Sequence, residues 1–391
     1  MRERDVALKI GIVAGEVSGD LLGANLVAAL KMAHGGPVDL VGVGGDGLAG
    51  EGLSSLFDYS ELSIMGFTQV IGRLPQLLRR IRQTADALIA AKPDIIVIID
   101  SPDFTHRVAR RVRAAAPDIP IVDYVCPSVW AWKEYRARDM LAYVDHVLAV
   151  LPFEPAAMER LGGPPTTFVG HRLTEEPGVL AARRQNRLER SRSKPTIMLL
   201  PGSRKSEISA LAPVFRDVAA TFAARNDGCR IILPTVTRRE QQVRAAIADW
   251  PVQPELFVGE EAKWKAFAMA DAAVAASGTV MLELALSGIP AVSAYKADFI
   301  GRFMLNKITV WSASLPNLIA DAPLVPEYFN DTIRAGALVR WMELLTKDSF
   351  QRRGMIEGFE RVIALMQTDV PPGARAAAIV LDVLAEKGIV R

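Results

Sequence analysis

The chain has 391 residues, more than one ordinary hydrophobic core organises, so its length points to two domains. Half of the residues are hydrophobic and 23% are charged, a globular composition rather than a disordered or fibrous one. Lys and Arg number 46 against 44 Asp and Glu, a net charge of +2, which excludes a global field toward nucleic acid.

The N-terminus MRERDVALKIGIVAGE is charged, and its short apolar run reads as a strand over 10–14 rather than a signal peptide. GEVSGD, residues 15–20, then opens a helix in which Leu22, Leu26 and Leu30 recur at helical spacing. Gly15 and Gly19 permit a tight turn and a close ligand, and Ser18 or Asp20 can cap the helix; the plainer reading is a capped βα turn. Gly-x-Ser-x-Gly is not matched, so Ser18 is no nucleophile elbow. A second strand, 38–43, runs into VGVGGDG, where Gly42, Gly44 and Gly47 spell a formal Gly-x-Gly-x-x-Gly with Glu61 downstream. Gly50 and Gly52 are poor material for the helix whose start must hold a pyrophosphate, which weakens a nicotinamide or flavin reading.

Residues 64–82, IMGFTQVIGRLPQLLRRIR, set apolar groups beside Arg73, Arg79, Arg80 and Arg82, a pattern suited to a membrane surface or to an acyl chain with a nearby phosphate. A core-facing helix with a solvated basic face is the commoner use of such a pattern. The apolar strand 95–99 delivers Asp100 and, past Pro102, Asp103; one of them could act as a general base toward a sugar hydroxyl, while Asp103 also suits an N-cap. After strand 121–125, CPSVWAWKEYRARDM offers Trp130 and Trp132 as a wall for a sugar or acyl chain, and Lys133, Arg136 and Arg138 as phosphate partners. Strands at 147–151 and 167–169 close the first half. Residues 183–194, RRQNRLERSRSK, read as a solvated helix end or linker.

A second alternation of strands and helices occupies 196–200, 230–233, 256–258, 273–275 and 291–294, which implies another parallel sheet built from βαβ units. LLPGSRKSEI, 199–208, is not a Walker A loop, yet Gly202 and Ser203 can present backbone N–H groups and Arg204 can pair with a diphosphate. In AASGTVMLE, 275–283, Ser277, Gly278 and Thr279 form a small-residue turn at a helix start, where backbone amides favour a diphosphate. Glu283 lies a turn further on, placed to accept from ribose hydroxyls; a partner is expected for it among its apolar neighbours. SLPNLIA puts Asn317 in a loop before a helical region. From about 349 the chain is helical without strands, a tail that could return to the first domain. Two doubly wound halves place the chemistry in the loops after strands. The two cysteines, Cys126 and Cys229, make no disulfide framework, the four histidines form no metal motif, and no apolar run is long enough to span a membrane.

GEVSGD, LSIMGF, IDSPDF, PSVWAW, LPFEP, FVGH, LLPGSR, ASGTVMLE, LPNLIA and VPE occur in one order over nearly the whole chain, and together they resemble the lipid A disaccharide synthase family. The resemblance implies a GT-B fold: an N-terminal Rossmann-like domain over 1–175, with helices from about 349–391 returning to it, and a C-terminal UDP-sugar domain over 190–348. It implies an inverting hexosyltransferase that moves 2,3-diacylglucosamine from its UDP derivative to 2,3-diacylglucosamine 1-phosphate, without cofactor or metal; no Asp-x-Asp motif is present. Carried over by motif, Asp100 resembles the base, Glu16 and Ser18 match the N-terminal loop, and Arg204, Glu283 and Asn317 resemble polar residues of the donor half. A peripheral seat on the cytoplasmic face of the inner membrane and a homodimer are further expectations. The chain departs from the family's usual wording at Val17, Val280 and Met281, which leave the polar atoms in place, and at Arg172, where many members carry proline. The alternatives are another GT-B enzyme, such as a UDP-sugar epimerase or a glycosyltransferase on a soluble acceptor, and a nicotinamide-dependent oxidoreductase using Gly42, Gly44 and Gly47.

Overall fold

The computed structural model describes residues 7–62, 67–188, 194–296 and 309–389, with 67–73 and 187–188 as backbone. The chain divides into two units, Met1–Arg172 with Thr368–Arg391 and Leu173–Gln367.

In the first unit six parallel strands are β1 (Leu8–Ala14), β2 (Val38–Val43), β3 (Ile95–Ile99), β4 (Ile121–Tyr124), β5 (His146–Ala149) and β6 (Thr166–Phe168), in the order β2-β1-β3-β4-β5-β6. β3 reads Ile-Ile-Val-Ile-Ile and every residue in it is buried, as a parallel strand covered on both faces requires. β1 is flanked by β2 on one side and β3 on the other, so the strand order reverses there, and Ala14 stands in register with Ile99. The loops that leave β1 and β3 therefore start side by side. This is the switch point where open α/β sheets bind ligands.

The second unit repeats the plan with β7 (Thr196–Leu200), β8 (Arg230–Thr235), β9 (Glu255–Val258), β10 (Ala272–Ala276), β11 (Ala291–Tyr295) and β12 (Glu327–Phe329), in the order β12-β11-β10-β7-β8-β9. Here β7 lies between β8 and β10, and Leu200 pairs with Ala275, so the loops 201–204 and 277–279 leave the sheet together. Phe215, Phe222 and Phe267 anchor its core. β12 has no counterpart in the sequence reading: three residues beginning with a glutamate carry no readable period.

The C-terminal tail splits. Helix Phe350–Met366 stays in the second unit because Met355 and Phe359 are buried in that core, and the return to the first unit begins at Thr368, not near 349. Helix Pro372–Glu386 then packs on helix Val17–His34, where a side chain on Gly373 would stand 3.0 Å from the Asn25 carbonyl. Of the basic run 183–194, residues 189–193 lie outside the described residues; Arg183 pairs with Glu360 at 2.8 Å, and Asn186 donates to the Phe267 and Ser287 carbonyls.

Candidate active site

At the switch point of the first sheet the backbone is strained. Asp100 and Ser101, neither of them glycine, have φ of 53° and 47°. Each such residue costs about 1–3 kcal/mol, and such strain persists only where neighbours hold it. Asp100 N donates to the Tyr124 carbonyl at 3.1 Å, and the Thr105 hydroxyl donates to the Asp100 carbonyl at 2.7 Å. The turn aims the carboxylate toward the β1 loop: Ser101 N donates to its Oδ1 at 2.7 Å, and Ser18 Oγ donates to its Oδ2 at 3.4 Å. Gly15 is required by this approach, since a Cβ there would stand 2.5 Å from Ser101 Oγ. Ser18 and Asp100 are thus brought together, while Glu16 stands exposed at the N-cap of helix Val17–His34. Asp103 is not the N-cap of helix Pro102–Ala115, a position taken by Ser101.

Several expectations change. Asp20 does not cap its own helix: buried, it accepts from Gly45 N at 2.7 Å, Gly47 N at 2.8 Å and Leu48 N at 3.1 Å. The amides a pyrophosphate would need are already held by an internal carboxylate, and the helix that follows has only five residues. Gly42 serves strand packing, since a Cβ would fall 1.8 Å from the Ile12 carbonyl oxygen. The nicotinamide reading therefore loses its site. Trp130 is likewise no open wall: it is buried, stacks edge-on against Phe153 at 4.9 Å, and donates from Nε1 to Glu154 at 3.2 Å. Arg138 turns away to the Leu161 carbonyl at 3.3 Å.

The second unit holds a pocket of about 560 Å³ at the carboxyl ends of β7, β8 and β10, lined by Gly202, Ser203, Arg204, Glu207, Thr235, Thr237, Lys263, Ser277, Gly278, Thr279 and Glu283 among others. All three residues of the ASGT turn face it. Gly278 has φ of 153° and no heavy atom within 4 Å of where a Cβ would be, so a ligand can approach this backbone closely. Ser277 Oγ donates to the Ala313 carbonyl at 3.3 Å.

The 202–204 loop differs from expectation in who holds its amides. Glu207 accepts from Ser203 N and Arg204 N, both at 3.1 Å, and from the Arg204 guanidinium at 2.9 Å. Gly202, with φ of 104°, leaves room for that carboxylate, which a Cβ would meet at 2.3 Å. The amides of Ser203 and Arg204 are thus satisfied from within the chain. Arg204 itself is free to exchange partners. It is 62% exposed, and exposed ion pairs are worth about 0–1 kcal/mol, whereas a charged hydrogen bond to a desolvated anion contributes about 1.5–3 kcal/mol.

Glu283 has the partner its setting required: Lys263 Nζ donates to its two carboxylate oxygens at 3.1 and 3.2 Å, while lying 4.0 Å over the Trp264 ring. Lys263 and Glu207 were missed in the sequence. The signal for Glu207 was a glutamate at the third position of a helix that starts at Lys205; Lys263 had only its place in the first turn after β9.

Asn317 does not line the pocket. It is 1% exposed, and its amide accepts from Leu324 N at 3.0 Å and Val325 N at 2.7 Å while donating to the Val325 carbonyl at 3.0 Å and Glu327 at 3.3 Å. Glu327 in turn accepts from Ser312 Oγ and Ala313 N. Asn317 therefore reaches Ser277 through Glu327 and the 312–313 backbone. Of the apolar basic segment 64–82, residues 64–66 and the side chains through 73 lie outside the described residues; further along, Arg80 pairs with Glu61 at 2.7 Å and lies over Phe57 at 4.5 Å. Among the described residues no helix is long and apolar enough to cross a membrane.

A family model described as lipid-A-disaccharide synthetase matches residues 10–367 of this chain. The lipid-A-disaccharide synthase of Nitrobacter winogradskyi is 48% identical over 380 residues, covering 97% of this chain and 96% of that protein. Its namesake from Bradyrhizobium diazoefficiens is 47% identical over 383 residues, with 97% and 98% covered. Among solved structures, UDP-GlcNAc 2-epimerase from Neisseria meningitidis bound to UDP-GlcNAc superimposes with a TM-score of 0.60 at 12% identity, covering 97% of this chain and 100% of that one. At that identity the likeness speaks to fold: two Rossmann-like units of the GT-B class.

Proposed function

The chain belongs to the lipid-A-disaccharide synthetase family and is a glycosyltransferase of lipid A biosynthesis; from that premise we propose its substrates and the residues that carry the reaction. The donor is UDP-2,3-diacylglucosamine and the acceptor 2,3-diacylglucosamine 1-phosphate. The observation that carries the donor assignment is the second-unit pocket, where Arg204, the 277–279 turn and Glu283 meet at a sheet switch point. Arg204 gives up Glu207 for the diphosphate, the Gly278 and Thr279 backbone approaches it, and Glu283 receives ribose hydroxyls. As the bond from the anomeric carbon to UDP breaks, these groups stabilise the charge that gathers on the leaving diphosphate.

The acceptor's 6-hydroxyl forms the new bond from the opposite face and gives its proton to Asp100, yielding the β-1′,6 disaccharide 1-phosphate and UDP. The strained turn at Asp100 and its Ser18 contact support that role. Glu16, exposed at the mouth of the same loop, is the second carboxylate of that neighbourhood. Both substrates carry acyl chains, so we place the enzyme peripherally on the cytoplasmic face of the inner membrane, with 64–82 as the docking segment, and leave a homodimer as its assembly.

The test is mass spectrometry of the product formed from the two diacylated substrates, with Asp100→Ala alongside. Disaccharide 1-phosphate from the parent chain and none from the variant is expected, with UDP affinity kept by both. Full activity in the variant removes Asp100 from the mechanism; turnover of the donor without disaccharide removes the substrate assignment.

A further inference from the structure

The first unit carries a second pocket, of about 360 Å³, that the reading above leaves without a ligand. Its chemistry is cationic: Arg107, Arg110, Lys133 and Arg136 line it against two carboxylates, Asp103 and Asp139. None of the four cations makes a salt bridge among the described residues, whereas Arg111, on the same helix as Arg107 and Arg110, pairs with Asp86. The four come from two stretches of the chain. Arg107 and Arg110 sit with Asp103 and His106 at i, i+3, i+4 and i+7, one face of helix Pro102–Ala115, while Phe104, Val108 and Val112 point into the core. Lys133 lies in the turn after β4, with φ of 57° and 4.1 Å over Trp132, and Arg136 in the helix Tyr135–Met140 that follows it.

The pocket is supported from beneath. Arg110 lies 4.7 Å over the Tyr143 ring; the Tyr143 hydroxyl meets His106 Nδ1 at 2.9 Å; and His106 Nε2 stands 3.2 Å from Asp123, which is 1% exposed. A buried row of side chains thus fixes the guanidinium, so little order remains to be imposed when an anion arrives.

We propose that this pocket binds the anomeric phosphate of the acceptor sugar. The inference rests on the acceptor assigned above. Its geometric warrant is the lining residue Pro102, two residues from Asp100 and so within about 7 Å of it along the chain. The acceptor presents its 6-hydroxyl and its anomeric phosphate at opposite ends of one hexose ring, and the helix that starts just past the base carries Arg107 and Arg110. The sequence hinted at half of this in Lys133 and Arg136. The other half needed the helix to bring Arg107 and Arg110 opposite them.

The test compares two acceptors, 2,3-diacylglucosamine with and without the 1-phosphate, on the full chain and on Arg107→Ala/Arg110→Ala. All assays use one vesicle composition free of anionic lipid, with melting temperature and UDP affinity measured alongside. The double variant is expected to lose about 10–100-fold in kcat/KM for the phosphorylated acceptor, and its preference over the dephosphorylated one shrinks with it. A preference equal to that of the parent overturns the proposal. So does weakened binding to vesicles containing anionic lipid with the preference unchanged, which would assign the cations to a headgroup. If the parent chain transfers to neither acceptor, the substrate reading itself has failed and this inference falls with it; transfer without any preference for the phosphate sinks the pocket alone.

Discussion

Glu207 grips Arg204 twice, taking its backbone amide at 3.1 Å and its guanidinium at 2.9 Å, and so folds the pocket's first loop around a carboxylate of the chain itself. Two functions are open to such a contact, a competitor for the diphosphate or a template for the loop. The template is favoured, because Ser203 N and Arg204 N stay satisfied whether or not the guanidinium moves. Glu207→Ala should lower stability by about 1 kcal/mol, as the loss of a helix-start capping interaction does, and should weaken UDP several-fold. Calorimetric titration with UDP and a denaturant melt read both effects. Tighter UDP binding by the variant would identify Glu207 as a competitor instead.

Asn317→Ala should act on stability first. The substitution strands Leu324 N, Val325 N and the Val325 carbonyl in a buried setting, and each unsatisfied group costs about 1–3 kcal/mol. Because Glu327 also holds Ser312 and Ala313, and Ser277 bonds to Ala313, UDP affinity should fall as a consequence. Chemical denaturation and UDP titration of the same sample are the measurements. A variant that melts like the parent yet fails to turn over would return Asn317 to direct substrate contact.

Glu154 makes stability depend on pH. Burial pushes its carboxyl up to about 8 from an ordinary 4.5, against the opposing pull of the Leu151 amide, the Trp130 indole and the Val150 amide. The folded chain therefore keeps a proton that the unfolded chain loses above 4.5. The contribution of this group is complete below pH 4.5, declines as pH rises toward 8, and is level beyond it. The stability gap between the parent and Glu154→Gln should shrink by at most about 1.4 kcal/mol per pH unit across that window. Urea melts from pH 5 to 9 give the gap directly, and a gap that stayed level across that range would show the carboxylate to be already ionised in the folded state.

The sequence carried the architecture because parallel strands buried on both faces are written as unbroken apolar runs, as at 95–99 and 196–200. It also carried the motif loops, because glycine marks where backbone must approach backbone, as at Gly15 and Gly202. It did not carry the partners of charged groups. Asp20 reaches 25 residues ahead to Gly45, and Lys263 reaches Glu283 across two elements, pairings that exist only once the sheet order is known. Asn317 showed the same limit from the other side: its family position marked importance, but whether it meets substrate or stabilises a loop depends on burial, which a motif does not state.

Glu283 gives the sharpest test of the donor site. Its two oxygens are held by Lys263 at 3.1 and 3.2 Å, so the carboxylate is oriented and 15% exposed at the pocket wall. If it receives the ribose hydroxyls of UDP, the parent chain should prefer UDP over 2′-deoxy-UDP by roughly tenfold, the order expected for one hydrogen bond to a charged acceptor. Glu283→Gln should bind UDP more weakly and lose most of that preference, since one oxygen becomes a donor and Lys263 loses its counter-charge. Lys263→Met should weaken both nucleotides alike, because it removes the cation beside the carboxylate without removing the carboxylate. Titration of the three proteins with the two nucleotides separates these cases. An undiminished preference in Glu283→Gln would mean that the ribose is read elsewhere along the wall, with Thr235, whose buried hydroxyl has no partner among the described residues, the next side chain to replace.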